Sequence, residues 1–201
     1  YVGSKYAVAV SSCTAGLHLA LMCLDKNKGD EVITSPVSFV STSNTILLND
    51  LKPVFTDIDY NTLNIDAENL QKKKINKKKL KAIVPVHLTG LAQDSEKISK
   101  FAKKNRIKII EDAAHSFGGK YECGSIIGSC KYSDMTVFSF HPVKSITTLE
   151  GGVITTNSKK YFDKLKVLRN HGMEKKNNHV SWFYEVNKIG LNYRMSDVQA
   201  A

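Results

Sequence analysis

The sequence predicts an α/β protein of three layers, in which helices cover both faces of a mostly parallel central sheet. Short continuous apolar runs, of the kind found in buried strands, alternate with longer segments that have helical apolar spacing. This alternation is typical of parallel strands joined by crossover helices. A length of 201 residues and a hydrophobic content of 42% suffice for one sizeable core.

Seven strands and five helices are predicted, largely in alternation. The strands are the apolar or extended runs at residues 7–10, 31–35, 52–59, 81–88, 107–112, 135–140 and 152–156. The helices are the segments at residues 14–24, 38–49, 66–74, 95–105 and 159–172. The third helix begins with acidic residues, as helix amino termini prefer, and the fifth ends at a glycine. Ser196 is a predicted N-cap of a further helix.

Composition and charge argue against several protein classes. No apolar run approaches the ~18 residues that span a bilayer, and no basic-then-apolar leader is seen, so we expect a cytoplasmic protein without membrane contact. The four cysteines show no C-x-x-C pair or metal-finger spacing, which favours reduced thiols and no metal site. The net charge of +10 comes mostly from the lysine run at 72–81. That run lacks aromatic residues, arginine and any nucleic-acid motif, so we interpret it as a solvated helix end and turn.

Polar residues follow three predicted strands, and ligands of such sheets bind at the carboxyl ends of strands. The stretch "SSCTAG" (11–16) opens a helix and suits a phosphate group, although an ordinary Ser/Thr cap is the alternative. Asp112 ends a buried strand, where its carboxylate needs a cationic partner or forms a structural salt bridge. His115 could equally be a core histidine. Lys144 stands alone after another strand, near Ser139, and can either pair with Asp112 or act as a reactive amine.

Together, these three features match the needs of pyridoxal phosphate. The phosphate must be anchored, the pyridine nitrogen must stay protonated, and the aldehyde must bond to an amine. A helix start, an isolated carboxylate and a lone lysine supply one group for each need. The sequence therefore favours a site for this cofactor.

Ten collinear segments resemble the DegT/DnrJ type of sugar-nucleotide aminotransferase, a branch of the aspartate-aminotransferase fold (fold type I pyridoxal-phosphate enzymes). They cover essentially the whole chain: "SSCTAGLHLAL", "GDEVITSPVSFVSTSN", "KPVFTDID", "NTLNID", "VPVHLTG", "IIEDAAHSFGG", "SFHPVKSITT", "EGG", "LRNHG" and "GLNYRMSDVQAA". The resemblance implies that residues 1–201 form the cofactor-binding large domain. We also expect the chain to be a fragment that lacks a carboxyl-terminal small domain.

The resemblance implies a role for each catalytic position. Lys144 would hold the cofactor aldehyde covalently and then move the proton of the substrate carbon. Asp112 would pair with the pyridinium nitrogen. Lys144 also separates this chain from family members that carry histidine there and act as sugar dehydratases.

Further cofactor-binding positions are implied in the same way. Ser139, with Thr14 and Ala15 at the helix start, would bind the phosphate. Phe39 would stack on the ring, and His115 would lie near its phenolic oxygen. Asn192 would reach the phosphate of a neighbouring subunit, which implies a homodimer with a shared active site.

The implied reaction moves an amino group from glutamate to C4 of a UDP-linked 4-keto-6-deoxy amino sugar, in the branch that serves pseudaminic acid synthesis. Another keto-sugar nucleotide, such as a dTDP-keto-deoxyhexose, is the alternative substrate. Leu149 departs from the small residue usual before "EGG", and we expect it close to the reactive amine. A binding or interaction protein on the same fold, catalytically impaired through Leu149 or through truncation, is therefore a second alternative. Cys13 departs from the usual glycine or alanine of the phosphate loop.

Overall fold

The computed structural model describes residues 1–174 and 182–201, which form a central sheet with flanking helices. The strands are β1 (Tyr6–Val10), β2 (Glu31–Thr34), β3 (Lys52–Phe55), β4 (Leu80–Val84), β5 (Lys108–Asp112), β6 (Met135–Ser139), β7 (Gly152–Thr156), β8 (Met173–Glu174) and β9 (Glu185–Val186). The helices are α1 (Cys13–Met22), α2 (Ser41–Leu48), α3 (Ala67–Lys72), α4 (Ser95–Asn105), α5 (Lys159–Arg169) and α6 (Asp197–Ala200).

Seven strands form one sheet in the order β1-β7-β6-β5-β4-β2-β3. β7 pairs antiparallel with both β1 and β6, and the other pairs are parallel. The carboxyl ends of β1, β2, β4, β5 and β6 therefore meet at one edge of the sheet, together with the start of β7. The predicted mostly parallel sheet is confirmed, and β7 is its one reversed strand.

Helices cover both faces of the sheet, as predicted, because alternate residues of each strand point to opposite faces. Val32, Ile110 and Val137 belong to the core cluster that includes residues of α1, α2 and α5. Their neighbours Ile33 and Ile109 belong to a second cluster with residues of α3 and α4. A third, smaller cluster packs Phe138 against the long connection between β5 and β6, through Tyr121 and Ile127 among others.

Helix ends follow the capping residues of the sequence. Ser12, Asp66, Asp94 and Ser158 each accept a hydrogen bond from a first-turn backbone N–H. Ser196 caps α6 in a capping box with Gln199, which confirms the predicted N-cap.

The predicted elements differ from the observed ones mainly at their boundaries. The predicted helix at 38–49 begins at Ser41, and the predicted helix at 159–172 ends at Arg169, before the positive φ of His171 and Gly172. The lysine run lies at the end of α3 and in the turn before β4, with most of its lysines exposed, as predicted. The short antiparallel pair of β8 and β9 was not predicted. Within the described ranges, no helix is long and apolar enough to cross a membrane.

Candidate active site

A cavity of about 250 Å³ lies at the sheet edge where the strands end, between the starts of α1 and α2. It is lined by six of the eight residues predicted for the site: Thr14, Phe39, Asp112, His115, Ser139 and Lys144. These residues come from four separate segments of the chain, so the fold brings together groups that are up to 130 positions apart, from 14 to 144.

Asp112 forms the buried floor of this cavity. It is the last residue of β5, is 3% exposed, and shares its sheet face with Ile110. Its Oδ2 accepts a hydrogen bond of 2.7 Å from Thr42 Oγ1, and its Oδ1 accepts one of 3.2 Å from the Ala114 N–H. Burial raises the pKa of Asp112, and these two hydrogen bonds oppose that rise. Within residues 1–174 and 182–201, Asp112 makes no ion pair, so its negative charge lacks a cationic partner.

The neighbouring carboxylate, Glu111, points to the opposite sheet face and away from the cavity. It accepts hydrogen bonds from Tyr121, Thr136 and Ser133 at 2.7–2.8 Å, and its Oε1 lies 3.3 Å from His87 Nε2. Burial alone would raise the pKa of Glu111, but its contacts with His87, Thr136 and Tyr121 outweigh burial and lower it. Glu111 is therefore a structural residue whose carboxylate has hydrogen-bond partners on the sheet face opposite the cavity.

Lys144 faces the cavity from the loop between β6 and β7. The loop is held there because the Lys144 N–H donates to the His141 carbonyl at 3.0 Å and the Thr148 N–H donates to the Phe140 carbonyl at 3.0 Å. Lys144 is half-buried, and in the described part of the chain its Nζ has neither a hydrogen bond nor an ion pair. A partnerless amine thus shares a cavity with a buried carboxylate.

The start of α1 supplies backbone N–H groups to the cavity. Ser12 Oγ caps the helix by accepting from the Ala15 N–H at 3.0 Å, whereas the first-turn N–H groups of Cys13 and Thr14 have no acceptor within a helix. Gly152 allows β7 to approach this turn, because a Cβ there would lie 2.9 Å from Cys13 N. Ser139, at the end of β6, lines the same side of the cavity. The arrangement suits an anionic group.

Burial and the charges of the cavity shift the pKa values of Cys13 and His115. Burial, followed by the charge of Asp112, raises the pKa of the Cys13 thiol well above its usual range, so Cys13 is a neutral apolar group of α1. Burial, followed by the charge of Lys144, lowers the pKa of His115. His115 Nδ1 accepts from the Thr89 N–H at 3.3 Å, which orients the ring at the cavity wall. Phe39 is 71% exposed and lines the cavity from the segment before α2.

Two predicted residues and one departure lie outside the cavity lining. Ala15 is buried, and its N–H is bonded to Ser12. Asn192 is exposed, in an isolated bridge with Asn170. Leu149, which we expected beside Lys144, is 74% exposed and is not among the residues that line the cavity, and its backbone has a φ of 65°. The expected crowding of the amine by Leu149 is therefore not seen.

Sequence reasoning missed Thr42, the residue that holds Asp112. The signal was present in "SFVSTSN", because a buried carboxylate needs donors and a threonine at the start of a helix beside the site can supply one. Ser38 and Ser41 of the same segment also line the cavity and were not singled out.

Comparisons with known proteins show the family of the chain. The DegT/DnrJ/EryC1/StrS aminotransferase family matches residues 1–201. The chain is 45% identical over 206 residues to the spore coat polysaccharide biosynthesis protein SpsC of Bacillus subtilis. It is 40% identical over 202 residues to the UDP-4-amino-4,6-dideoxy-N-acetyl-beta-L-altrosamine transaminase of Campylobacter jejuni. Each alignment covers 100% of this chain and 52% of the relative, so the chain spans about half the length of these curated relatives.

Solved structures share the fold over nearly the whole chain. Helicobacter pylori PseC, an aminotransferase involved in the biosynthesis of pseudoaminic acid, superposes with a TM-score of 0.91 at 36% identity, covering 99% of this chain and 52% of that one. The PLP-form of the putative sugar aminotransferase Spr1654 from Streptococcus pneumoniae has a TM-score of 0.88 at 30% identity, covering 100% of this chain and 54% of that one. Since the match extends from residue 1 to residue 201, the chain belongs to the DegT/DnrJ/EryC1/StrS aminotransferase family.

Proposed function

We propose that this chain is the cofactor-binding large domain of a pyridoxal-phosphate-dependent sugar-nucleotide aminotransferase. The observation that carries the proposal is that one cavity holds the buried Asp112 carboxylate and the Lys144 amine, neither of which has an ion pair among the residues that the structure describes. Membership of an aminotransferase family supports the reaction class.

The cavity fits pyridoxal phosphate in charge and donor chemistry. The uncompensated charge of Asp112 suits a protonated ring nitrogen, which would offset the cost of burying the carboxylate. The Lys144 amine suits the aldehyde, and the start of α1 beside Ser139 suits the phosphate. The exposed ring of Phe39 offers a flat apolar surface to the cofactor ring. The PLP-form of Spr1654 supports this choice of cofactor.

Each residue would have a distinct task. When bound, pyridoxal phosphate supplies an aldehyde that carries the amino group and a ring that withdraws electrons from the reacting carbon. Asp112 would keep the proton on the ring nitrogen. Lys144 would hold the cofactor, and its Nζ would then move a proton between the substrate carbon and the aldehyde carbon of the cofactor. Thr14, Ala15, Ser139 and the α1 N–H groups would fix the phosphate, and His115 would contact the ring substituents.

The proposed substrates are glutamate, as amino donor, and a UDP-linked 4-keto-6-deoxy amino sugar. Support comes from the altrosamine transaminase of Campylobacter jejuni and from PseC of Helicobacter pylori. The chain would then act in the synthesis of pseudaminic acid.

A second candidate is transfer to another keto sugar in polysaccharide synthesis. The spore coat polysaccharide protein of Bacillus subtilis supports it, since its identity of 45% exceeds the 40% of the altrosamine transaminase. Leu149 does not line the cavity, which removes one of the two grounds for a catalytically impaired protein. The other ground is that the chain spans about half the length of its curated relatives.

We further propose a homodimer in which Asn192 reaches the neighbouring subunit's cofactor site. The exposure of Asn192 leaves its side chain available for such a contact. The cytoplasmic location and the absence of a nucleic-acid partner stay predictions.

The cofactor assignment can be tested by trapping. Purified protein is mixed with pyridoxal phosphate, reduced with borohydride, digested and analysed by mass spectrometry. We expect yellow absorbance before reduction and the pyridoxyl group on Lys144 after it. K144A should lose both, whereas K160A, which removes an exposed lysine of α5, should keep both. Label spread over surface lysines, with none on Lys144, would contradict the proposal.

The substrate assignment needs a separate measurement. The cofactor is first converted to its amine form with glutamate, and amino transfer is then followed with a UDP-linked 4-keto amino sugar and with a dTDP-keto-deoxyhexose. We expect faster transfer to the UDP sugar. Faster transfer to the dTDP sugar would favour the second candidate and leave the cofactor assignment intact.

A further inference from the structure

Three hydroxyl and carboxylate groups form a chain of short contacts from the cavity wall to Asp112. Ser38 Oγ lies 2.7 Å from Thr42 Oγ1, and Thr42 Oγ1 lies 2.7 Å from Asp112 Oδ2. Thr42 is fully buried in the first turn of α2, whereas Ser38 precedes the helix and lines the cavity. Residues 70 positions apart are thus joined by a buried hydrogen bond.

The direction of each hydrogen bond follows from the chemistry of the groups. An ionised carboxylate can only accept, so Thr42 must donate its single hydroxyl proton to Asp112. The Phe39 carbonyl, 3.2 Å from Thr42 Oγ1, is a longer contact, and it already accepts from the Thr42 N–H at 3.2 Å. Since Thr42 Oγ1 has then given its proton away, it accepts from Ser38 Oγ. The protons therefore all point toward Asp112.

This chain of donors has a consequence for the carboxylate. Asp112 has no ion pair within the two described ranges, and a buried carboxylate without donors would be both costly and free to rotate. Ala114 holds Oδ1 from within the same loop, and Thr42 holds Oδ2 from another element. With one oxygen held from each side, the plane of the carboxylate is set relative to the cavity.

We propose that Thr42, assisted by Ser38, is a positioning residue that orients the Asp112 carboxylate toward the ring nitrogen of the cofactor. This inference rests on the proposed function. It also gives the start of α2 a role beyond packing. The turn at residues 39–42 carries Phe39 and Ser41, which line the cavity, together with Thr42, which holds Asp112.

Thr45 offers a matched control one helical turn further along α2. It is also fully buried, but its Oγ1 donates to the Thr42 carbonyl at 3.1 Å and not to Asp112. T42V and T45V each remove one buried hydroxyl with little change in shape. We expect both to lower the thermal midpoint of the cofactor-free protein, and T42V to lower it more at neutral pH, because only T42V removes a donor to a buried carboxylate.

The dissociation constant of pyridoxal phosphate separates the variants. We expect T42V to weaken binding about 10-fold or more, the order for loss of a hydrogen bond to a charged group, whereas T45V and T42S stay within about 2-fold of the parent. S38A should fall between T42V and the parent. Binding by T42V within about 2-fold of T45V would overturn the positioning role.

A cofactor-free readout separates this inference from the proposed function. Carbon NMR of the Asp112 carboxyl should show a higher pKa in T42V than in T45V, because the lost donor stabilised the ionised form. The charged and titratable groups around Asp112 are the same in both variants. They are His115, Lys144, His141 and Glu150 at the cavity, Cys13 on α1 and His87 beyond β4. Equal titration in T42V and T45V would refute the role of Thr42. Failure of the parent to bind pyridoxal phosphate would refute the proposed function, and with it the cofactor part of this inference.

Discussion

Gly16 of α1 lies directly against Val137 of β6, so closely that a Cβ added at Gly16 would be 2.6 Å from Val137 Cγ1. The close approach seats the first turn of α1 next to the carboxyl ends of β5 and β6. Glycine at position 16 therefore sets the distance between the proposed phosphate site and the strand ends that carry Asp112 and Ser139.

A methyl group at position 16 should push the helix from the sheet. We expect G16A to lower the free energy of unfolding by about 1–3 kcal/mol, as overpacking does. Adding V137A removes the atom that the new methyl group meets, so the double variant should be more stable than the sum of the single changes predicts. Chemical denaturation of all four proteins measures this coupling. Strict additivity would contradict the packing argument.

Removal of the buried charge at position 112 should lower activity without lowering the stability of the cofactor-free protein. We expect D112N to lower the rate of the half-reaction with glutamate by about 10²–10³-fold, since the ring nitrogen loses its counter-charge. Because burial raises the pKa of Asp112, its ionised form is disfavoured in the folded state, so the cofactor-free variant should be at least as stable as the parent at neutral pH.

D163N is the matched control for D112N. Asp163 is half-exposed on α5 and pairs with Lys159, so its removal should leave the half-reaction unchanged. Parent-like turnover in D112N would show that Asp112 does not serve the ring nitrogen.

Glu111 should contribute to the pH dependence of stability. Its pKa is lowered in the folded protein from an ordinary value of 4.5, so its contribution is fully present above that value and is lost as the pH falls through the folded-state pKa. We expect E111Q to be destabilised by about 3 kcal/mol at neutral pH and to lose less further stability than the parent on acidification. Thermal midpoints from neutral pH to below 4.5 test this. E122Q, at an exposed position, should behave like the parent.

Leu149 should be replaceable by glycine. Its φ of 65° is unfavourable for a side chain, and its exposed isobutyl group lies outside the cavity lining. We expect L149G to raise the free energy of unfolding by about 0.5–1 kcal/mol and to bind pyridoxal phosphate like the parent. A large change in cofactor affinity would show that Leu149 reaches the site in solution.

Asn192 tests the shared active site. If subunits pair as proposed, N192A should lose cofactor faster on dialysis, while the nearby exposed N187A should retain it like the parent. Retention is measured by absorbance, and subunit pairing by sedimentation. A fully occupied monomeric parent protein would exclude a cross-subunit role.

The apolar runs predicted the seven strands of the main sheet well, because a strand that is covered on both faces is apolar at successive positions of the sequence. They could not predict the direction of β7, since burial on both faces is the same for a parallel and an antiparallel strand. The cluster under the β5–β6 connection was also missed, because Tyr121 and Ile127 follow neither helical nor strand spacing.

The site was predictable where chemistry demanded a rare residue in an apolar setting, as at Asp112 and Lys144. Thr42 was missed because its role depends on a contact across 70 positions, which arises only once the order of β5, β4 and β2 in the sheet is known. Ala15 and Asn192 rest on family resemblance, and their roles stay predictions.

The adjacent carboxylates Glu111 and Asp112 have different surroundings because successive residues of β5 point to opposite faces of the sheet. A single-residue insertion within this strand would exchange their faces, bringing the glutamate to the crevice and sending the aspartate to the opposite face. The residue count between Ile110 and the strand end therefore decides which of the two carboxylates the crevice receives.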